Sequence, residues 1–455
     1  MSRFFNIALV AIFMTVFFTI GGQAQSCSGG KINGIYHTSC YPWNSTQGTL
    51  TFPNGATTAP TTVTKHNDGP RLQLALNDAL GRLVFDEADY YIDQELAVYS
   101  YRTIVGTGRS SYLGDANYPI PSTYSNHPSS KIVQVGSSKA IFKIGEGVQD
   151  VAIRDLALVS GFGTSGNYGI LAQGGNGTNQ SSVSFQFSNL KFSNFAKGIY
   201  VDAQNSAEWQ FDNVRLDHSF FENCTEGVRI NSHNSGWSVS SVDFLVPASG
   251  YGFYLENSTY TTLDLLIGNG PQSGTKAQAL VYVKNHANLS VRNSVAENFT
   301  YDVHLDGDSI YGTGRNYPVY LMNNTFMSGV TLKDSTVVSM GNQFGFAEAD
   351  IPAIASGSTH LYSIGDKFCF DGATCEANKG YTLQNSAVLL FGTNKYKTEV
   401  DTLKVGTRTF SQLGSANGGT LYYCSDCQQT STCTGSGSGA FAKKIGSGST
   451  GWVCN

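Results

Sequence analysis

The 455-residue sequence predicts an all-β solenoid of short stacked rungs, and three observations carry that expectation. A short alternating strand, often led by glycine, recurs as Gly169-Ile-Leu-Ala, Gly198-Ile-Tyr-Val, Gly227-Val-Arg-Ile, Gly252-Phe-Tyr-Leu, Leu280-Val-Tyr-Val, Asp302-Val-His-Leu and Gly329-Val-Thr-Leu. Its first inward residues, Ile170, Ile199, Val228, Phe253, Val281, Val303 and Val330, are separated by 22 to 29 positions. A second pattern, apolar-x-Asn-apolar-x-apolar, alternates with it, as in Phe187 to Phe192 and Phe211 to Leu216. Composition is the third observation: charged residues are 13%, aromatics 12%, and there are 51 Gly but 11 Pro, which suits long β surfaces made polar by uncharged groups. With 28 Lys and Arg against 33 Asp and Glu, the chain lacks the electrostatic footprint of a nucleic-acid binder.

Residues 1–24 read as an export signal. Ser2-Arg3 supplies a positive start, Phe4 to Ile20 is apolar, and Gly21-Gly22-Gln23-Ala24 offers small residues before a cut ahead of Gln25. The apolar run is short for a bilayer core of about 30 Å, and no later segment is longer, so a soluble, secreted mature protein is expected. All nine cysteines fall after the signal, where disulfides persist. Cys27 and Cys40 are expected to pair in an N-terminal extension (25–66), and so are Cys369 and Cys375. Cys424, Cys427, Cys433 and Cys454 admit three connectivities in a C-terminal cap (401–455), and Cys224 is left as a buried thiol.

The solenoid proper is expected over 67–400. Its start, Asp68 to Arg109, reads DGPRLQLALNDALGRLVFDEADYYIDQELAVYSYRTIVGTGR. This segment resembles the opening of the pectate lyase-like superfamily. The resemblance implies a capping helix over about Arg71 to Leu80, strands at Arg82 to Phe85 and at Tyr91-Ile92, and a turn at Gly106-Thr-Gly108. Asp86-Glu-Ala-Asp89 stands where that superfamily usually has a Pro-Ala-Gly turn. It also implies a single right-handed parallel β-helix, a fold that hosts lyases, hydrolases, epimerases and inert adhesins alike.

Stacking at about 4.8 Å turns each sequence column into a physical ladder. Asn189, Asn213, Ser241, Asn293, Asn323 and Asn342, with Asp155 and Asp366 at the ends, are expected to form an internal amide stack. Outward residues of the glycine-led strands give two further columns. One is Leu171, Tyr200, Arg229, Tyr254, Tyr282, His304, Thr331; the other is Gln173, Asp202, Asn231, Glu256, Lys284, Asp306, Lys333. Aromatic faces beside polar edges suit an extended sugar chain, so Tyr200, Arg229, Tyr254, Tyr282, Lys284 and His304 are the candidate substrate-binding residues and a polysaccharide the expected partner.

Asp202, Glu256 and Asp306 are candidate catalytic carboxylates. Successive members lie two rungs, about 10 Å, apart, within side-chain reach of the separation used by inverting glycosidases. A lyase would instead draw on Arg229, Lys284 and His304. Asp217-His218 is a second catalytic candidate, resembling in outline the Trp-Ile-Asp-His segment of pectate lyases, with Arg215 and Leu216 in the first two places. Asn231 and Lys284 interrupt the acid column, so no metal or other cofactor is expected. The sequence thus points to a polysaccharide lyase or glycoside hydrolase, or else to a non-catalytic adhesin using the coil as a stalk.

Overall fold

A computed structural model of the chain describes residues 27–54, 61–108, 130–161, 164–174, 180–203, 209–307, 318–345, 353–368, 381–384 and 387–393, with parts of 407–454. The signal segment, Cys369, Cys375 and Cys433 lie outside them. The chain divides into two compact units, residues 1–371 with 381–392, and residues 372–380 with 393–455.

The larger unit is a coil of parallel strands. The column read from the glycine-led strands is its register: Ile170 pairs with Ile199, Ile199 with Val228, Val228 with Phe253, Phe253 with Val281, Val281 with Val303 and Val303 with Val330. The fold is a right-handed parallel β-helix, as the resemblance implied. One continuous apolar core, running from Tyr41 to Leu361, fills the coil. Strands buried on their inner face supply it with one side chain at every second position.

Helix Gly69–Asp78 opens the coil, turning Leu72, Ala75 and Leu76 inward, while Asp68 pairs with Arg71 at 2.8 Å. This helix covers apolar residues that an open coil end would expose. The disulfide Cys27–Cys40 closes the N-terminal extension on itself, and the contacts of His37 and Thr38 with Asp86 hold it to the first rung.

Sharp bends separate the faces, and single residues in the left-handed region make them. In one bend column Asp155, Asn189, His218, Ser241, Leu265, Asn293 and Asn323 follow one another in register with φ between 46° and 61°. Asn and Asp tolerate that conformation better than most residues, which accounts for the recurring Asn motif.

The expected amide stack is therefore corrected in three respects. Asn213 is a neighbour of Ser184, one bend before Asn189, whose neighbour is His218. Asn213, Asn293 and Asn323 are exposed residues at left-handed bends rather than internal ones. Asn342 and Asp366 stand one position further along, fully buried.

The true internal ladder starts just after the bend, where the chain would leave its N–H groups unpaired inside the coil. A side-chain oxygen from the next rung accepts each one. Leu266 N–H donates to Ser294 Oγ (3.1 Å), Ser294 to Asn324 Oδ1 (3.0 Å), Asn324 to Asn342 Oδ1 (2.9 Å) and Asn342 to Asp366 Oδ1 (2.9 Å).

The leading glycines have a steric cause. Phe192, Phe221 and Phe244 stack face to face down the core at centroid separations of 4.5 and 4.9 Å. The rings press against Gly169, Gly198 and Gly227: a Cβ on any of these would lie 2.5–2.6 Å from a ring carbon. Where Gly268 succeeds Phe244, Leu280 interrupts the glycine column in the next rung and fills the vacated space.

In the smaller unit, Thr407–Arg408, Leu421–Cys424, Ala440–Lys444 and Trp452–Cys454 form a four-stranded sheet. Its core contains Trp452, Cys454 and the disulfide Cys424–Cys427, and Cys454 is disulfide-bonded as well. Cys224 is a buried free thiol whose pKa burial pushes up to about 12. Among the described residues no helix is long and apolar enough to cross a membrane, and no group of three or more His, Cys, Asp and Glu is placed to hold a metal ion.

Candidate functional site

One face of the coil brings together most of the residues singled out for sugar binding. Tyr200, Arg229, Tyr254, Tyr282 and His304 are consecutive partners across five strands, and beside them run Asp202, Asn231, Glu256, Lys284 and Asp306. Tyr254 and Tyr282 are 4.5 Å apart between centroids, and His304 follows Tyr282 at 5.0 Å. The Arg229 guanidinium lies 3.5 Å from the centroid of Tyr254, a cation–π stack that extends the flat surface by one rung. Leu171, expected in this row, is buried rather than exposed.

A third column completes the strip. Tyr168, Lys197, Glu226, Tyr251, Ala279 and Tyr301 are partners in sequence. Tyr251 packs edge-on to Tyr254 (5.2 Å) and Tyr282 (5.7 Å), and Tyr301 edge-on to His304 (4.8 Å). Strict two-residue alternation hides this column, because the intervening glycine breaks the alternation. Its signal in the sequence is the dipeptide series Tyr168-Gly169, Lys197-Gly198, Glu226-Gly227, Tyr251-Gly252.

Charges on the strip are interlocked. Arg229 reaches Glu226 (3.4 Å) with one terminal nitrogen and Glu256 (3.3 Å) with the other. Lys284 also contacts Glu256 (3.3 Å), while Asp306 takes Lys333 (2.8 Å) and the hydroxyl of Tyr282 (3.2 Å). Lys333 holds the Asp306 carboxyl below its ordinary range. Burial pushes Glu226 up, against the pull of Arg229 and Lys197, and pushes Tyr200 to about 12. Burial also lowers His304, so its imidazole is neutral at neutral pH, a flat ring with one donor and one acceptor.

Asp217 and His218 stand elsewhere. Asp217 ends strand Phe211–Asp217 on another face, and His218 is one of the left-handed bend residues. Asp217 is buried and held by Arg215 at 2.7 Å, whereas His218 projects into solvent with its Nδ1 3.6 Å from Asp217. The strip's side chains and this pair do not meet in one constellation, because they belong to different strands of the rung.

No family model matches the sequence, and no curated protein matches it. Similar solved structures include a tailspike of an Acinetobacter phage, at 12% identity over 84% of this chain and 73% of that one, with a TM-score of 0.46. An endo-xylogalacturonan hydrolase from Aspergillus tubingensis is 16% identical over 70% of this chain and 88% of its own (TM-score 0.38). DFA-IIIase from Arthrobacter chlorophenolicus is 11% identical over 70% and 90% respectively (TM-score 0.47). These likenesses concern the course of the chain, and no residue role is taken from them.

Proposed function

We propose that this is an exported protein that binds an extended polysaccharide along the three-column strip. The observation carrying the reading is the unbroken run of rings, Tyr251, Tyr254, Tyr282, Tyr301 and His304, on a flat parallel sheet with charged and amide edges beside it. Pyranose faces stack on such rings while carboxylates, guanidinium and amides take the hydroxyls. Export is supported by the signal-like start and by the disulfides. The double variant Tyr254→Ala/Tyr282→Ala is expected to weaken polysaccharide binding about tenfold or more in affinity electrophoresis. Unchanged retardation by every polymer the parent protein binds would refute the assignment.

A second reading, glycoside hydrolysis, is favoured by one arrangement. Arg229 bridges Glu226 and Glu256, and burial raises the Glu226 carboxyl above its ordinary range against the pull of Arg229 and Lys197. Glu226 is then the proton donor to the leaving oxygen and Glu256 the opposing carboxylate. On this reading Glu226→Gln lowers the release of reducing ends about a hundredfold while leaving binding in place. Equal release by variant and parent removes Glu226 from the chemistry.

A further inference from the structure

We infer that the strip takes an uncharged polysaccharide and discriminates against uronate polymers, a refinement that rests on the glycan-binding reading above. The three columns carry five cations, Lys143 (the partner of Leu171), Lys197, Arg229, Lys284 and Lys333, and each lies within 4 Å of a carboxylate. Lys143 meets Glu95 (3.0 Å), Lys197 meets Glu226 (3.9 Å), Arg229 meets Glu226 and Glu256, Lys284 meets Glu256, and Lys333 meets Asp306. Against these five stand the column carboxylates Asp202, Glu226, Glu256 and Asp306 together with Glu95, the partner of Lys143, so with all five ionised the formal charge is zero.

An incoming uronate carboxylate would have to displace a resident one. The displaced group, Glu256 or Asp306, would then face the ligand as a like charge at close range. Glu226, Arg229 and Glu256 are each no more than 20% exposed, so this cluster cannot swing aside into water at little cost. Elimination from a uronate needs a cation to neutralise the sugar carboxyl, and the strip's cations are already committed. A hydroxyl, by contrast, donates to a carboxylate and accepts from its partner cation without breaking the pair.

The experiment titrates the purified full chain with uncharged probes (galactomannan, mixed-linkage β-glucan) and uronate probes (polygalacturonate, alginate). Binding is measured at low and high salt, about 50 and 500 mM NaCl. An uncharged polymer is expected to bind about tenfold or more tighter than either uronate. Its affinity should change less than about twofold with salt. Tightest binding to a uronate, weakening with salt, would overturn the inference and leave the glycan-binding reading standing. Silence with all four probes would overturn both.

Glu256→Gln releases Lys284 and one of the two contacts of Arg229, which keeps Glu226, and Asp306→Asn independently releases Lys333. Each is expected to raise uronate affinity about tenfold. No gain in either correctly folded variant, judged by circular dichroism, would show that the pairing is not what excludes the acid.

Discussion

Gly198→Ala is expected to destabilise the coil by about 3 kcal/mol, read as a drop in the urea midpoint, with Gly145→Ala nearly neutral beside it. The added Cβ at position 198 would sit 2.6 Å from two carbons of the Phe221 ring and 2.7 Å from the carbonyl oxygen of Gly227. The ring cannot retreat, because it is stacked between Phe192 and Phe244 within the core. The carbonyl cannot retreat either, because it belongs to the next rung of the ladder. One methyl group thus forces a shift in both the aromatic stack and the strand spacing, and close-packed interiors transmit such strain. A Cβ at Gly145 would meet no atom within 4 Å, so it reports only the intrinsic glycine-to-alanine difference. Equal losses at the two sites would mean that the Phe stack does not impose the glycine column.

The same column explains what was legible in the sequence and what was not. Inward residues of the glycine-led strands recur with little else competing for the pattern, so Ile170 to Val330 could be aligned rung by rung, and Tyr254 and Tyr282 fell into contact as a consequence. The bends are harder, because Asn in the left-handed region solves the same backbone problem at more than one corner of a rung. Asn213 and Asn189 carry one local signature and serve different corners, which a single sequence cannot separate. The burial of Asn342 follows from a one-residue offset that the motif does not encode. In the strip, Tyr168, Glu226 and Tyr251 are hidden from two-residue alternation by the glycine that interrupts it. Ion pairing across rungs depends on which long side chain leans which way: Lys284 meets Glu256 while Asp306 meets Lys333, and that is a matter of packing.

Asp302 occupies the slot in which most rungs have glycine, and Asp302→Asn is expected to have an effect that changes sign with pH. The side chain is fully buried, one oxygen accepts the Ser328 N–H at 2.8 Å, and the other has no hydrogen-bond partner. Burial pushes its carboxyl up to about 7, against the N–H groups around Ser328 that favour the anion. In the unfolded chain the group titrates near about 4. Between those two values the unfolded state has lost the proton and the folded state keeps it. Stability therefore falls as pH rises through that window, and the full penalty applies above about 7.

Asparagine keeps the acceptor for Ser328 and cannot ionise, but it leaves an amide N–H₂ where the unpartnered oxygen stood, at a cost of about 1–3 kcal/mol. At pH 8 the removed ionisation penalty exceeds that cost, and the variant should be more stable than the parent by about 2 kcal/mol. At about pH 4 the penalty has vanished, only the amide cost remains, and the variant should be the less stable of the two. Urea unfolding at both pH values measures the crossing. A variant destabilised equally at each would show that Asp302 is ionised in the folded coil throughout, held by the Met327–Gly329 turn rather than merely tolerated by it.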